Sequence, residues 1–192
     1  MRSENGLWIL PTRRRLWQLQ QFFDHARACC TSTRGIIIVE RSEFEEMGDR
    51  YACLRMLPGW QICLTKNEGQ GNKYRDAWFQ YEHLDWVGCL GDDTWPETIN
   101  WDRRLIDRLD GKTHIVSCDD GWQAPKRMCG TMLFSGEILR AVGFLYPPDL
   151  HHWYADDFWE AVGGATKCWT IDMNVMVRHM HAHLTGETDE TY

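Results

Sequence analysis

Two adjacent carboxylates, Asp92 and Asp93, follow directly on the apolar run at residues 86–90. In open α/β sheets ligands collect beyond the carboxyl ends of the strands, so acids placed there would stand at the mouth of a site. Hard oxygen donors in that position suit Mg²⁺ or Mn²⁺ bridging to a diphosphate. The plainer alternative is a solvated turn in which Asp93 or Thr94 caps the next helix, and such turn chemistry is common. Glu40 closes the β-branched run at residues 35–39, where a carboxylate can accept a hydrogen bond from a base or a ribose. His179, His181 and His183 alternate near the end of the sequence. In an extended segment alternate side chains share a face, so two or three imidazoles could converge on one point. Taken alone, the same residues read as an exposed polar tail.

These groups need a scaffold, and the chain supplies one by alternating apolar runs with helical periodicity. Residues 7–10 form a short apolar run ending at Pro11, and Leu16, Leu19, Phe23 and Ala26 then recur at helical spacing. The continuous run at 35–39 predicts a strand covered on both faces of a parallel sheet. Further strands are expected at 60–64 and 86–90, with helices at 71–82 and 97–109. Strand and helix in alternation predict a mostly parallel α/β sheet flanked by helices. Beyond residue 110 the pattern loosens. Strands are expected at 115–118, 128–134 and 171–177, and helices at 136–142 and 154–162. The aromatic and proline-rich stretch 143–153 has the length of a functional loop.

With 192 residues and 43% hydrophobic content, the chain has the size of one ordinary domain. No repeat, low-complexity tract or linker divides it. Its formal charge of −7 gives no whole-molecule attraction to nucleic acid or anionic lipid. The eight cysteines are scattered without a C-x-x-C pair, which predicts reduced thiols and a cytoplasmic protein. No stretch reaches the roughly 18 apolar residues of a spanning helix, and the N-terminal apolar run is too short for a signal peptide. A soluble, unprocessed protein without a membrane span is therefore expected.

In order along the chain, these features resemble the family-2-like inverting glycosyltransferases of the GT-A fold. The likeness is carried by Leu10-Pro11-Thr12-Arg13 after the first strand, Glu40 after the second, and Gly69-Gln70-Gly71-Asn72-Lys73-Tyr74-Arg75 entering a helix. It continues through Leu90-Gly91-Asp92-Asp93-Thr94-Trp95-Pro96, then Cys129 to Phe134 leading into 137–143, then Asp156-Asp157 before Phe158-Trp159. It spans nearly the whole chain. Gly91 stands where many relatives have the first aspartate, and Asp156 replaces the usual Glu.

The resemblance implies a GT-A domain over residues 1–192, with 1–110 as the nucleotide-sugar half and 111–192 as the acceptor-side half. It implies a Mn²⁺ or Mg²⁺ ion held by Asp93 with His179 or His181. Donor contacts would come from Pro11, Thr12, Arg13, Glu40, Lys73 and Asp92, with Arg13 and Lys73 on phosphate. Arg14 and Arg15 read as surface charge. Asp157 is the expected general base, with Asp156 the close alternative. Asp120, Trp122 and Trp153, with Trp159, fall in acceptor-side segments, where a flat ring can stack on a sugar or a base. Most of the other eight tryptophans read as core.

The implied donor is a UDP-sugar, and the implied acceptor is a glycan, a lipid-linked glycan or a hydroxymethylated base in phage DNA. The DNA alternative rests on small size and a phage-like ending, which would place the protein in a host cytoplasm. Three rival chemistries share parts of this pattern. A sugar nucleotidyltransferase would be expected to carry a glycine-rich phosphate loop after the first strand, and Pro11 to Arg15 has no glycine. A metallohydrolase built on Asp92, Asp93 and the histidines would need no acceptor. A non-catalytic nucleotide-sugar-binding module would bind donor without turnover.

Overall fold

The computed structural model of the chain describes residues 5–67, 69–150 and 155–180. Strand β1 (Gly6–Pro11), helix α1 (Leu16–Ala28), β2 (Gly35–Glu40), α2 (Arg41–Ala52), β3 (Trp60–Thr65), α3 (Gln70–Tyr81) and β4 (Trp86–Cys89) form the first half. They are followed by β5 (Thr94–Pro96), α4 (Trp101–Arg108), β6 (Ile115–Asp119), β7 (Met132–Ser135), α5 (Gly136–Val142), α6 (Ala155–Thr166) and β8 (Trp169–His179). The eight strands lie in the order β3-β2-β1-β4-β7-β6-β8-β5. β1 pairs in parallel with β2 and β4, β2 with β3, and β6 with β8, while β7 and β5 run against their neighbours. The expected mostly parallel α/β sheet is what the chain forms.

Alternation along β1 shows how the layers are built. Trp8 and Leu10 face one side with Leu19, Phe22 and Phe23 of α1, Met47 and Tyr51 of α2, and Trp101 and Leu105 of α4. Leu7 and Ile9 face the other side with Tyr74 and Trp78 of α3, Leu139 of α5 and Trp159 of α6. Both faces of the sheet are thus covered, which is why β1 and β2 read as unbroken apolar runs. Four cross-strand pairs place a glycine opposite a tryptophan: Gly6 with Trp86, Trp8 with Gly88 and with Gly35, and Gly35 with Trp60. A Cβ on Gly88 would lie 2.1 Å from the Trp8 ring, so the indole occupies the space a side chain would take. Trp8 in turn packs on Trp101 with ring centroids 4.7 Å apart.

Four elements differ from the sequence expectations, each for a local reason. Helix α2 is not announced by its sequence because only Glu43, Met47 and Tyr51 are buried, a stripe one residue wide at spacing i, i+4, i+8. The helix expected over 97–109 begins only at Trp101, since Thr94–Pro96 pairs with β8 and the chain then turns through Asn100 at φ 55°. The strand expected over 128–134 is confined to Met132–Ser135, because the Cys129 amide donates to the side chain of Ser117 on β6 (Oγ, 3.2 Å) rather than to a backbone carbonyl in a ladder. The last strand is longer than residues 171–177 and shifts register where Cys118 and Asp119 pair with it.

Candidate active site

After β1 the chain steps outward to β2 and β3, then returns on the other side of β1 to form β4. The crevice beyond the carboxyl ends of β1 and β4 is the place where such a sheet receives ligands. A cavity of about 600 Å³ opens there. Thr12, Arg13 and Arg15 enter it from the end of β1, and Gly91 to Asp93 from the end of β4.

The turn after β1 is shaped by a buried acid. Arg14 adopts the left-handed region, φ 57°, and its amide donates to Glu43 Oε1 at 2.5 Å. Glu43, on the first turn of α2, is itself held by the Tyr51 hydroxyl. With that turn fixed, Thr12 Oγ1 donates to Asp92 Oδ2 at 2.7 Å. Arg15 folds inward, its Nη1 lying 3.0 Å from Asp92 Oδ1 and 3.6 Å from Asp93 Oδ2. Its side chain is only 14% exposed, which corrects the expectation of surface charge. Arg14 does lie at the surface, paired with Glu46. Arg13 is exposed at the cavity rim.

Lys73 comes up from α3 beneath this turn. Its buried ammonium lies 3.0 Å from Glu40 Oε1 and donates to the Thr12 carbonyl at 2.7 Å. It therefore ties the ends of β1 and β2 together at the cavity floor. The phenol of Tyr74 similarly holds the Leu90 carbonyl at 2.8 Å.

Burial, followed by the charge of Asp93, pushes the Asp92 carboxyl up to about 6, against the pull of Arg15 and Thr12. Burial acts on Asp93 in the same direction, but the His179 imidazole and Arg15 outweigh it and hold Asp93 below the ordinary carboxylate value. His179 responds reciprocally: burial alone would lower its pKa, and the Asp93 carboxylate more than reverses this. The two side chains meet because β5 pairs with β8, Thr94 opposite His179, and Asp93 Oδ2 lies 3.5 Å from His179 Nε2. The pair fits a divalent ion that takes one or two protein ligands and fills its shell with phosphate and water oxygens, as Mg²⁺ does. Among the described residues there is no group of three or more His, Cys, Asp or Glu arranged to hold a metal by themselves.

The opposite wall comes from the second half of the chain. Asp120 is buried after β6, and its Oδ1 accepts from the amides of Trp122, Gln123 and Ala124 at 3.0, 2.7 and 3.1 Å. This fixes the loop carrying Trp122, which is 42% exposed and meets His179 edge-on at 6.0 Å. Asp156 and Asp157 line the cavity from the first turn of α6. Asp157 is ion-paired with Arg127. Burial raises the Asp156 carboxyl above its ordinary value, with the nearby Arg127 pulling the other way. Tyr146 also lines the site; burial, then the charge of Asp156, pushes its phenol up to about 12. Trp159 is buried against Phe134 and Phe144, and its Nε1 donates to the Leu145 carbonyl, so it builds the wall instead of offering a free ring face.

Pro11, Thr12, Arg13, Glu40, Lys73, Asp92, Asp93, Asp120, Trp122, Asp156, Asp157 and His179 all border this one cavity. Trp153 and His181 lie outside the described residues. Arg15, Glu43, Tyr146 and Arg127 are site-shaping residues that sequence reasoning missed. For Arg15 the only signal was its place in a run of three arginines.

No family model and no curated protein matches the chain by sequence. Solved structures do. A mannosyltransferase from Pyrobaculum calidifontis, in complex with GDP-Man and Mn²⁺, superposes with a TM-score of 0.66 at 15% identity, covering 92% of this chain and 56% of its own. The catalytic domain of Drosophila β1,4-galactosyltransferase 7, in complex with xylobiose, gives 0.59 at 12% identity, covering 96% of this chain and 74% of its own. Glucosyl-3-phosphoglycerate synthase from Mycobacterium tuberculosis, in complex with Mn²⁺, UDP and phosphoglyceric acid, gives 0.64 at 10% identity, covering 95% and 72%. The chain thus spans little more than half the length of the first of these. Sheet order, covering helices and these superpositions together establish that the chain has the GT-A fold of glycosyltransferases.

Proposed function

We propose that the protein is a metal-dependent, inverting glycosyltransferase that moves a sugar from a nucleotide-diphosphate-sugar donor to an acceptor hydroxyl. The observation that carries this reading is the Asp92–Asp93 pair at the crevice between β1 and β4, with His179 brought opposite Asp93 by the β5–β8 ladder. The structural neighbours solved with GDP-Man and Mn²⁺, or with UDP and Mn²⁺, support the same ligand class.

A Mn²⁺ or Mg²⁺ ion held by Asp93 and His179 would supply positive charge to the departing diphosphate. Arg13 at the rim and Arg15 within add guanidinium groups suited to phosphate oxygens. Glu40 and Asp92 serve the base or ribose, with Glu40 oriented by Lys73. On the acceptor side Trp122 offers a flat face for stacking, and Asp120 holds its loop. The attacking hydroxyl oxygen bonds to the anomeric carbon as the bond from that carbon to the diphosphate breaks, and the hydroxyl proton passes to a carboxylate of α6. The ion pair between Asp157 and Arg127, and the raised pKa of Asp156, support giving the base role to Asp156, with Asp157 positioning Arg127.

A UDP-sugar is the donor we favour. The net charge of −7 favours a glycan or lipid-linked glycan acceptor over DNA. No described helix is long and apolar enough to cross a membrane, and we assign the protein to the cytoplasm. The test is a donor screen by mass spectrometry with Mn²⁺ or with excess chelator, and with glycan and modified-DNA acceptors in parallel. Metal-dependent transfer that Asp93→Ala abolishes is the expected result. Full activity in chelator would refute the metal assignment. Turnover of a sugar phosphate with a nucleoside triphosphate would instead favour a nucleotidyltransferase, and hydrolysis indifferent to every acceptor a hydrolase.

A further inference from the structure

The guanidinium of Arg15 lies against both carboxylates of the pair, 3.0 Å from Asp92 Oδ1 and 3.6 Å from Asp93 Oδ2. It reaches them from within the protein and cannot swing freely into solvent. Its side chain is 14% exposed, its carbonyl accepts the Leu19 amide of α1, and the preceding turn is pinned through the Arg14 amide to Glu43. A divalent cation arriving at Asp93 and His179 therefore meets a resident positive charge only a few ångströms away, in a setting where water screens poorly. A diphosphate arriving alone meets two acids, Asp92 and Asp93, beside that same arginine.

We propose that Arg15 makes metal and nucleotide binding interdependent: it disfavours the metal alone, and it attracts the diphosphate that lets both cations share one anion. This inference rests on the reading of the cavity as a nucleotide-diphosphate-sugar site. With diphosphate oxygens between them, the guanidinium and the metal ion no longer repel across bare carboxylates. Arg15 would pair with phosphate oxygens in the planar geometry that matches it, leaving Asp93 and His179 to hold the metal ion. Each ligand then raises the affinity for the other by the same factor, as linkage requires. The sugar half of the donor plays no part in this coupling, so UDP and Mn²⁺ suffice as probes.

The test uses the full chain and needs no turnover. Free Mn²⁺ is followed by its electron paramagnetic resonance signal during titration, with and without saturating UDP, and UDP is titrated calorimetrically with and without Mn²⁺. In the wild type UDP should tighten Mn²⁺ binding by roughly tenfold or more. Arg15→Gln should bind Mn²⁺ alone more tightly, by a few-fold, and UDP alone less tightly, so that the coupling factor shrinks. Arg15→Lys keeps the charge and should leave Mn²⁺ alone as weak as in the wild type while still losing UDP affinity.

These opposite changes separate the proposal from mere structural damage, which would weaken both ligands together. Weaker Mn²⁺ binding in a folded Arg15→Gln variant, or an unchanged coupling factor, overturns it. Should Arg15→Gln not fold, Arg15→Lys decides: tighter Mn²⁺ binding alone in that variant refutes the role of the charge. A wild type that binds neither UDP nor Mn²⁺ removes the nucleotide-site reading itself. One that binds both independently removes only this inference.

Discussion

Replacing Thr12 with Val removes one hydroxyl and keeps the shape of the side chain at the end of β1. That hydroxyl donates 2.7 Å to a carboxylate oxygen of Asp92, and both residues are buried. A hydrogen bond donated to a carboxylate favours its ionised form, so its loss raises the pKa. Bonds to charged groups are worth about 1.5–3 kcal/mol, which at about 1.4 kcal/mol per pH unit moves the midpoint up by about one to two units. Asp92 stands at about 6 in the native site. At pH 7 it would pass from about nine-tenths ionised to half or less. The assay is calorimetric titration of UDP without metal from pH 5 to 9, in which the acid limb of binding should shift upward in Thr12→Val and return in Thr12→Ser. Stability should follow with a definite sign. A carboxyl whose folded pKa exceeds its unfolded value loses stability as pH rises through that interval, so Thr12→Val should fall further below wild type between about pH 6 and 8. Coincident acid limbs in wild type and Thr12→Val would refute the coupling between these two residues.

The remaining predictions address the base, the turn and the core. Asp156→Asn should lower transfer by roughly 10²-fold with UDP affinity retained, while Asp157→Asn should affect acceptor KM more than kcat. Because burial raises Asp156, the acid limb of kcat in the wild type should lie above the ordinary carboxylate range, and near-normal turnover by Asp156→Asn would return the role to its neighbour. Glu43→Ala unpins the Arg14 amide and should weaken UDP binding by roughly tenfold, near the value of one lost buried hydrogen bond, with Glu43→Gln restoring much of it in the same titration. Gly88→Ala drives a methyl into Trp8, which Trp86 and Trp101 hold in place; urea denaturation should show a loss of about 1–3 kcal/mol or more.

What the sequence reveals about this molecule depends on how far a residue's role is set by its neighbours in the chain. β1, β2 and β4 are readable because strands covered on both faces must be apolar throughout. The Asp92–Asp93 pair is readable because it follows such a strand. Arg15 is not: three consecutive arginines look alike until the left-handed turn at Arg14 sends one outward to Glu46 and the next inward to the acids. Glu43 acts across 29 positions from a helix with a narrow buried stripe, so neither the element nor its role shows in local pattern. The split between Asp156 and Asp157 is likewise tertiary, since it depends on Arg127 from another loop. The tryptophans gain their reason only through register, each of three standing opposite a glycine on the next strand.

The ladder between β5 and β8 also bears on the order in which the molecule comes together. Thr94 and His179 are 85 positions apart, and β8 lies inside the sheet, between β6 and β5. During synthesis Asp92 and Asp93 emerge early and can be placed as soon as β1 to β4 associate. Their imidazole partner cannot join them until β8 has been made and has inserted between two strands that otherwise have no contact through the sheet. Pairings this distant form late, because the intervening chain must first be ordered. A nascent or truncated chain lacking residues 169–179 would thus leave Asp93 without its imidazole, although Thr12 and Arg15 are already there to meet Asp92. The junction at His179 makes the Asp93–His179 pair a property of the finished sheet, one that a half-made molecule does not hold.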